Sequence, residues 1–326
     1  MNIKLFTHTD LDGVGCAILA YLAFGKENVA VEYCNYDDID LRVSQFFIKS
    51  NPGEYDKVFI TDISINENLA VAIDRYAKSG LWQLFDHHQT ALELNRYYWC
   101  NVLVEAPDGS GLKTCGTELF GVYLLSEGLF DCYGKTTINN ILQFIGIVRD
   151  YDTWRWTTTG RYGMNSKHVN DLLDIYGREQ FIDVMCIRIR VYTGFPSITP
   201  DEFLLLEQRK AEIDRYVIQK NEQLIPAKDI HGHSYGYVFA ERFFSELGNR
   251  LCQMNPGLEY IVMIDICNGK VSYRTTRDDL NLGTEIAHSY GGGGHAKAAG
   301  STFDREYISD LVVKKLFETD EMKGAE

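Results

Sequence analysis

Three short clusters of carboxylates and imidazoles stand out in the chain. His8, Asp10 and Asp12 lie within five residues and are followed by Gly13; Asp62 follows an apolar run; Asp86, His87 and His88 stand in a row after another. A single aspartate after a strand is most simply a turn or helix-capping residue. Three adjacent titratable groups are harder to explain structurally, because each would need its own partner. Gathering Asp10, Asp12 and Asp62 is unfavourable without counter-charge, since like charges about 4 Å apart repel by about 4 kcal/mol at an effective dielectric near 20. Divalent cations remove that cost. Mixed imidazole and carboxylate ligands suit Mn²⁺, Fe²⁺, Co²⁺ or Zn²⁺ better than Ca²⁺, and a bridging carboxylate would hold two ions roughly 3.5–4 Å apart, poised to activate water and clamp a phosphoryl oxygen.

The elements that must position these groups are legible as hydrophobic patterns. Ile3 to Thr7, Val29 to Cys34, Lys57 to Thr61 and Leu81 to Phe85 read as strands, with helical spacing over Val14 to Gly25 and Asn66 to Ser79. Such alternation predicts a parallel sheet, whose functional groups gather at the carboxyl ends of its strands. His8, Asp62 and Asp86 each follow a different strand, so they are expected on one rim. Helical patterns continue from Gly116 to about Lys220. The charged stretch Asp201 to Gln223, bracketed by Pro196, Pro200 and Pro226, reads as a connector. A second, smaller α/β unit is expected beyond it, with strands Tyr235 to Ala240, Tyr260 to Cys267 and Lys270 to Arg274, and helices Ser245 to Met254 and Leu282 to Tyr290. The expected division is 1–195, 196–228 and 229–326, with the polar last few residues fraying.

The C-terminal unit has its own candidates. Gly291 to Gly294 could be a flexible linker by composition, yet His295, Lys297 and the small residues around them suggest a tight turn. The reading is a phosphate cradle in which Gly292, Gly293 and Gly294 aim backbone N–H groups at an anion, with His295 and Lys297 as walls. Ser272 and Arg274 share a strand face beside it. Arg250 and Arg277 are weaker candidates. No chemistry is assigned to His168, His231, His233 or His288, and His231-Gly232-His233 reads as a turn before a strand.

Composition bounds the partners. At 326 residues and 45% apolar content the chain can bury two cores, and its net charge of −14 repels long duplex nucleic acid while permitting a small anionic substrate held through metal ions. Eight cysteines without a C-x-x-C pair resemble reduced cytoplasmic thiols rather than a disulfide framework. No stretch approaches the roughly 18 apolar residues of a membrane span, and the first residues carry no secretion signal. Aromatic residues make up 13% of the chain, and some beside Tyr151 to Trp156 could stack on bases.

Thr7 to Gly13 (THTDLDG), Thr61 to Ser64 (TDIS) and Asp86 to His88 (DHH) resemble the first three motifs of the DHH phosphoesterase superfamily, and Gly291 to Gly300 (GGGGHAKAAG) resembles the glycine-rich motif of its DHHA1 domain. Leu11 to Cys16, Phe59 to Ile63, Tyr151 to Trp156 and Ser245 to Leu251 are most similar to nanoRNase B-type oligoribonucleases. The resemblance implies an N-terminal DHH domain and a C-terminal DHHA1 substrate-binding domain. It implies two Mn²⁺ ions, with Co²⁺ or Mg²⁺ as substitutes: one on His8, Asp10 and Asp62, the other on Asp12, Asp62, His87 and a fourth-motif aspartate. Asp150 and Asp152 both lie in that motif, and the pair Asp152-Thr153 matches it better. His88 would face the phosphate and Asp86 would orient a histidine. One departure is that only Thr9 separates His8 from Asp10, where many members have three residues. The implied activity is 3′ to 5′ degradation of short single-stranded oligoribonucleotides or dinucleotides in the cytoplasm, with room for a homodimer and no membrane partner. Linear or cyclic dinucleotides, 3′-phosphoadenosine 5′-phosphate and pyrophosphate are the alternative substrates within the superfamily. A binding protein without turnover would lack a ligand residue, and every ligand position is filled.

Overall fold

The strands of the first unit are apolar runs because both faces of their sheet are covered. In a computed structural model, which describes residues 1–49, 54–76, 80–158 and 160–317, β1 (Ile3–Thr7), β2 (Val29–Tyr33), β3 (Lys57–Thr61), β4 (Trp82–Asp86) and β5 (Cys100–Val102) form an all-parallel sheet in the order β2-β1-β3-β4-β5. Side chains alternate between faces with a period of two. Ile3, Leu5, Phe59 and Phe85 point into one core, and Phe6, Val58, Ile60 and Leu84 into the other.

The second of these cores lies under α2 (Ile39–Lys49) and α3 (Glu67–Tyr76). The first is larger. It is built on α1 (Leu11–Phe24), α4 (Gly116–Ser126), α5 (Lys135–Asp152), α6 (Met164–Tyr176) and α7 (Arg178–Val191). Because α1 is surrounded, it is apolar on all sides, with every residue from Leu11 to Leu22 buried. Two glycines let backbones close up: a Cβ on Gly13 would stand 2.2 Å from the His8 carbonyl oxygen, and one on Gly116 would stand 2.6 Å from the Asp62 Cβ.

The expected connector forms α8 (Pro200–Glu222). The chain divides into two compact units within this helix, Met1–Leu206 and Glu207–Glu326. The second unit carries β6 (Ile225–Lys228), β7 (Ser234–Phe239), α9 (Phe244–Met254), β8 (Tyr260–Asp265), β9 (Lys270–Arg274), β10 (Gly293–Gly294), β11 (Ala298–Thr302) and α10 (Arg305–Phe317). Its sheet runs β10-β11-β9-β8-β7-β6, with only β7 and β8 parallel.

Differences from the expected elements are local. Strands β5 and β6 are not evident from the sequence, since each is short and its pattern is broken by polar residues or proline. The helix expected over Leu282 to Tyr290 is a π-turn, Leu282–Ile286, followed by a 3₁₀ turn, Ala287–Tyr290. The end of the helix expected to Ser79 and the fraying last residues lie outside the described residues. All eight cysteines are unpaired. Among the described residues no helix is long and apolar enough to cross a membrane.

Phe59 is fully buried between the sheet and Phe24, Phe85, Phe120 and Tyr123. Phe59→Ala is expected to cost about 3–5 kcal/mol of stability in urea unfolding, and a change below about 1 kcal/mol would show that this core collapses around the cavity.

Candidate metal centre

The carboxyl ends of β1, β3 and β4 meet as the parallel sheet requires, and each delivers acidic or imidazole groups. Asp10 caps α1, its Oδ1 accepting from the Gly13 N–H at 3.1 Å. Asp12, in the first turn of α1, points inward and is 1% exposed. Its oxygens accept from the Gly116 and Thr117 N–H groups at 2.5 and 2.7 Å, so the positive N-terminal end of α4 holds this carboxylate. Sequence reasoning missed Gly116 and Thr117. The available signal was Cys115-Gly116-Thr117 opening a helical pattern, but nothing local tied it to Asp12.

Asp62 follows β3 with φ of 58°, in the left-handed region uncommon outside glycine, and its N–H donates to the Phe85 carbonyl at 2.9 Å. This geometry points its two oxygens toward different neighbours. Oδ2 lies 3.7 Å from His8 Nδ1, which is itself 3.0 Å from Asp10 Oδ2. Oδ1 lies 3.3 Å from His87 Nε2, which also stands 3.7 Å from Asp12 Oδ2 and 3.7 Å from Asp152 Oδ2. Three overlapping groups that could hold a metal ion result: His8-Asp10-Asp62, Asp12-His87-Asp152, with the second oxygen of Asp62 facing it, and Asp62-Asp86-His87-His88.

Of the two fourth-motif aspartates, only Asp152 reaches this cluster. Asp150 is fully buried elsewhere, accepting from the Tyr162 N–H at 3.2 Å and facing Arg149 and Arg155. The helical phase explains the split: two residues on α5 differ by about 200° around the axis. Asp86 spends its oxygens on neighbouring protein groups. It accepts from Ser64 Oγ and the His87 N–H, and its Oδ1 is 2.6 Å from His88 Nδ1, so it orients that imidazole.

The electrostatics carry the mark of an uncompensated site. Burial, then the charges of Asp12, Asp10 and Asp152, push the Asp62 carboxyl well above its ordinary range. Burial also raises Asp152, to about 7, against the pull of His87 and with the help of Asp12 and Asp10. Burial would lower His88, but the Asp86 carboxylate outweighs it and raises the imidazole to about 9. The same balance with Asp10 raises His8. Burial likewise opposes ionisation of Asp10 and Asp86, yet their histidine partners hold both below the usual value. Asp62 Oδ2 is buried and receives no hydrogen bond. A buried carboxylate oxygen without a donor, among three other carboxylates and two imidazoles, fits divalent transition-metal ions.

In the second unit, Ser272 and Arg274 lie on β9, and Ala298 on β11 pairs with Arg274. Arg274 is half-buried, donates to the Tyr273 carbonyl at 2.8 Å, and is pushed down in pKa by desolvation. A Cβ on Gly248 would lie 2.4 Å from its Cγ, so that glycine makes room for the arginine stem. The glycine-rich segment is a hairpin: Gly293 and Gly294 pair with Gly300 and Ala299. This alters the expected cradle, because the Gly292 N–H donates to Ala287 and the His295 N–H to Ala298, leaving neither for an anion. His295 and Lys297 are exposed at the turn, Lys297 Nζ lying 2.5 Å from Asp278. Arg250 pairs with Asp214 and Arg277 with Asp279. His231 and His233 flank the turn at Gly232 before β7.

The raised groups set a pH dependence. Between the ordinary 3.8 and about pH 7 the folded metal-free protein keeps a proton on Asp152 that the unfolded chain has lost. His88 extends the same imbalance from 6.5 to about 9. The folded state therefore binds more protons, and stability falls as pH rises across this range. Asp10 and Asp86 act in the opposite sense only below the ordinary carboxyl range. The melting temperature of EDTA-treated protein should fall between about pH 5 and 8, and excess Mn²⁺ should raise it more at the higher pH, where the carboxylates are free to bind. A flat EDTA profile would contradict this account of the centre.

No family model matches the chain. It is 38% identical over 322 residues to the oligoribonuclease NrnB of Bacillus subtilis strain 168, covering 98% of this chain and 77% of that protein. The exonuclease RecJ bound to manganese aligns at a TM-score of 0.56 and 10% identity, over 96% of this chain and 88% of that one. RecJ of Thermus thermophilus in complex with Mn²⁺ aligns at 0.58 and 12%, over 96% and 51%. A DHH domain from a family of ribosomal proteins aligns at 0.57 and 12%, over 96% and 85%. The structural likenesses carry the fold, and the NrnB identity extends along nearly the whole chain: the protein belongs to the NrnB oligoribonuclease family.

Proposed function

We propose that the chain is a metal-dependent phosphodiesterase that shortens oligoribonucleotides of a few residues from the 3′ end, releasing nucleoside 5′-monophosphates. The observation that carries this reading is the pair of ligand groups sharing Asp62, at the rim of the parallel sheet. Relatedness to NrnB supports the oligoribonucleotide as substrate, and the RecJ structures with manganese support Mn²⁺. His8, Asp10 and Asp62 would hold one ion; Asp12, Asp62, His87 and Asp152 would hold a second. When bound, such ions supply an acidified water and positive charge at the phosphoryl oxygens.

The chain's own groups supply the rest. Asp12 is fixed by two N–H groups of α4 and so presents its remaining lone pairs in one direction. Asp86 holds the His88 ring, which faces the phosphate and stabilises charge on its equatorial oxygens. In the reaction the water oxygen joins phosphorus, the bond from phosphorus to the upstream 3′-oxygen breaks, and that oxygen ends protonated. Ser272, Arg274, His295 and Lys297 of the second unit would bind the substrate's phosphates and ribose, making it the substrate-binding domain. The eight unpaired cysteines accord with action in the cytoplasm.

The test is release of mononucleotide from 5′-labelled RNA dimers through heptamers with Mn²⁺. Stepwise shortening by the wild type should vanish in Asp62→Asn. Asp86→Asn, which leaves the ligands in place but loosens His88, should lose roughly 10–100-fold in rate. Intact RNA alongside hydrolysis of pyrophosphate or a cyclic dinucleotide would overturn the substrate while leaving the metal centre.

A further inference from the structure

Tyr36 belongs to none of the motifs, and its position is unusual for a large aromatic side chain. It is 61% exposed, yet it touches the metal centre. Its hydroxyl lies 2.9 Å from His88 Nε2, and its ring stands edge-on to the His88 ring at 5.7 Å and 83°. The His8 ring lies 5.0 Å away and tilted by 46°.

The backbone beneath it is tied down. The Cys34 N–H donates to the Thr7 carbonyl at 2.8 Å, the Asn35 N–H to Asp38 Oδ1 at 2.7 Å, and Arg42 grips the other Asp38 oxygen at 2.7 Å. The turn between β2 and α2 therefore fixes where the ring begins, and the hydroxyl contact fixes where it ends. A ring held at both ends has little rotamer freedom left to lose when it meets a ligand. Exposure alone is common among the large side chains of this protein; what marks Tyr36 is exposure together with contact to the imidazoles of His8 and His88.

We propose that Tyr36 is a specificity-determining residue of this site, whose exposed ring stacks on the nucleobase adjoining the scissile phosphate. Its contact with His88 holds the ring 5.7 Å from the imidazole that faces the phosphate in the proposed reaction, so an exposed aromatic face lies beside that group. Stacking is indifferent to base identity because every base has a π-face. Tyr36 thereby favours nucleotide esters over simple phosphate esters without reading sequence. The proposal deepens the oligoribonuclease reading and rests on it for the substrate.

The experiment compares wild type, Tyr36→Phe and Tyr36→Ala on an RNA trimer and on the same trimer abasic at its 3′ residue. Binding of adenosine 5′-monophosphate and of ribose 5-phosphate is measured by calorimetry in Mn²⁺. Tyr36→Ala should raise KM for the RNA trimer by roughly ten- to hundredfold and leave the abasic trimer unchanged, while Tyr36→Phe, which keeps the ring, stays within a few-fold of wild type in KM. The preference for the nucleotide over ribose 5-phosphate should close in Tyr36→Ala alone. If that preference survives in Tyr36→Ala, or if both trimers lose equally, the stacking role is overturned. Failure of the wild type to cleave RNA would overturn the oligoribonuclease reading instead, and the two monophosphates would still decide the role of the ring.

Discussion

Four carboxylates meet beside His8 and His87 too closely to ionise independently, and the first unit is arranged around that conflict. Protein groups meet part of the cost: the N-terminal end of α4 receives Asp12, and His8 receives Asp10. Asp62 is left with the largest burden, buried, unbonded at one oxygen and held in a left-handed backbone conformation. A scaffold that maximised its own stability would replace such a residue. Its presence is accounted for if cations complete the centre, since their charge would turn the repulsion into binding energy.

Close packing is what allows these groups to converge. Gly116 permits α4 to rest against Asp62, and Gly13 permits α1 to start directly over the His8 carbonyl. Neither glycine serves as a flexible hinge here; each admits a backbone approach that a methyl group would block. The apolar circumference of α1 follows from the same demand, since the helix bearing Asp12 must be enclosed by α4, α5 and α7 to hold its first turn fixed.

Much of this was legible in the sequence because strand-end chemistry is local. The apolar runs of β1, β3 and β4 lead directly into His8, Asp62 and Asp86, so the parallel-sheet rule is enough to predict their meeting. The helical connector and the second α/β unit were legible from periodicity and proline placement. What escaped was non-local or conformational. Asp12 and Gly116 are separated by 104 positions, and no periodicity links them. Tyr36 reads as one tyrosine among twenty until the turn beneath it is seen. The glycine run suggested exposed donors, whereas hairpin pairing and the Ala287 carbonyl use several of them.

The candidate ligands are spread along the chain in a particular order. His8 follows the first strand and Asp152 ends α5, so the centre spans almost half the polypeptide. Parallel pairing forms slowly, and Asp152 joins the cluster only with α5, beyond the last strand of the sheet. A chain still lacking α5 carries Asp86, His87 and His88 without the Asp152 carboxylate that α5 brings to them. The interleaved topology thus ties the complete set of candidate ligands to the finished first unit: no N-terminal piece that stops short of α5 brings all of these carboxylates and imidazoles together.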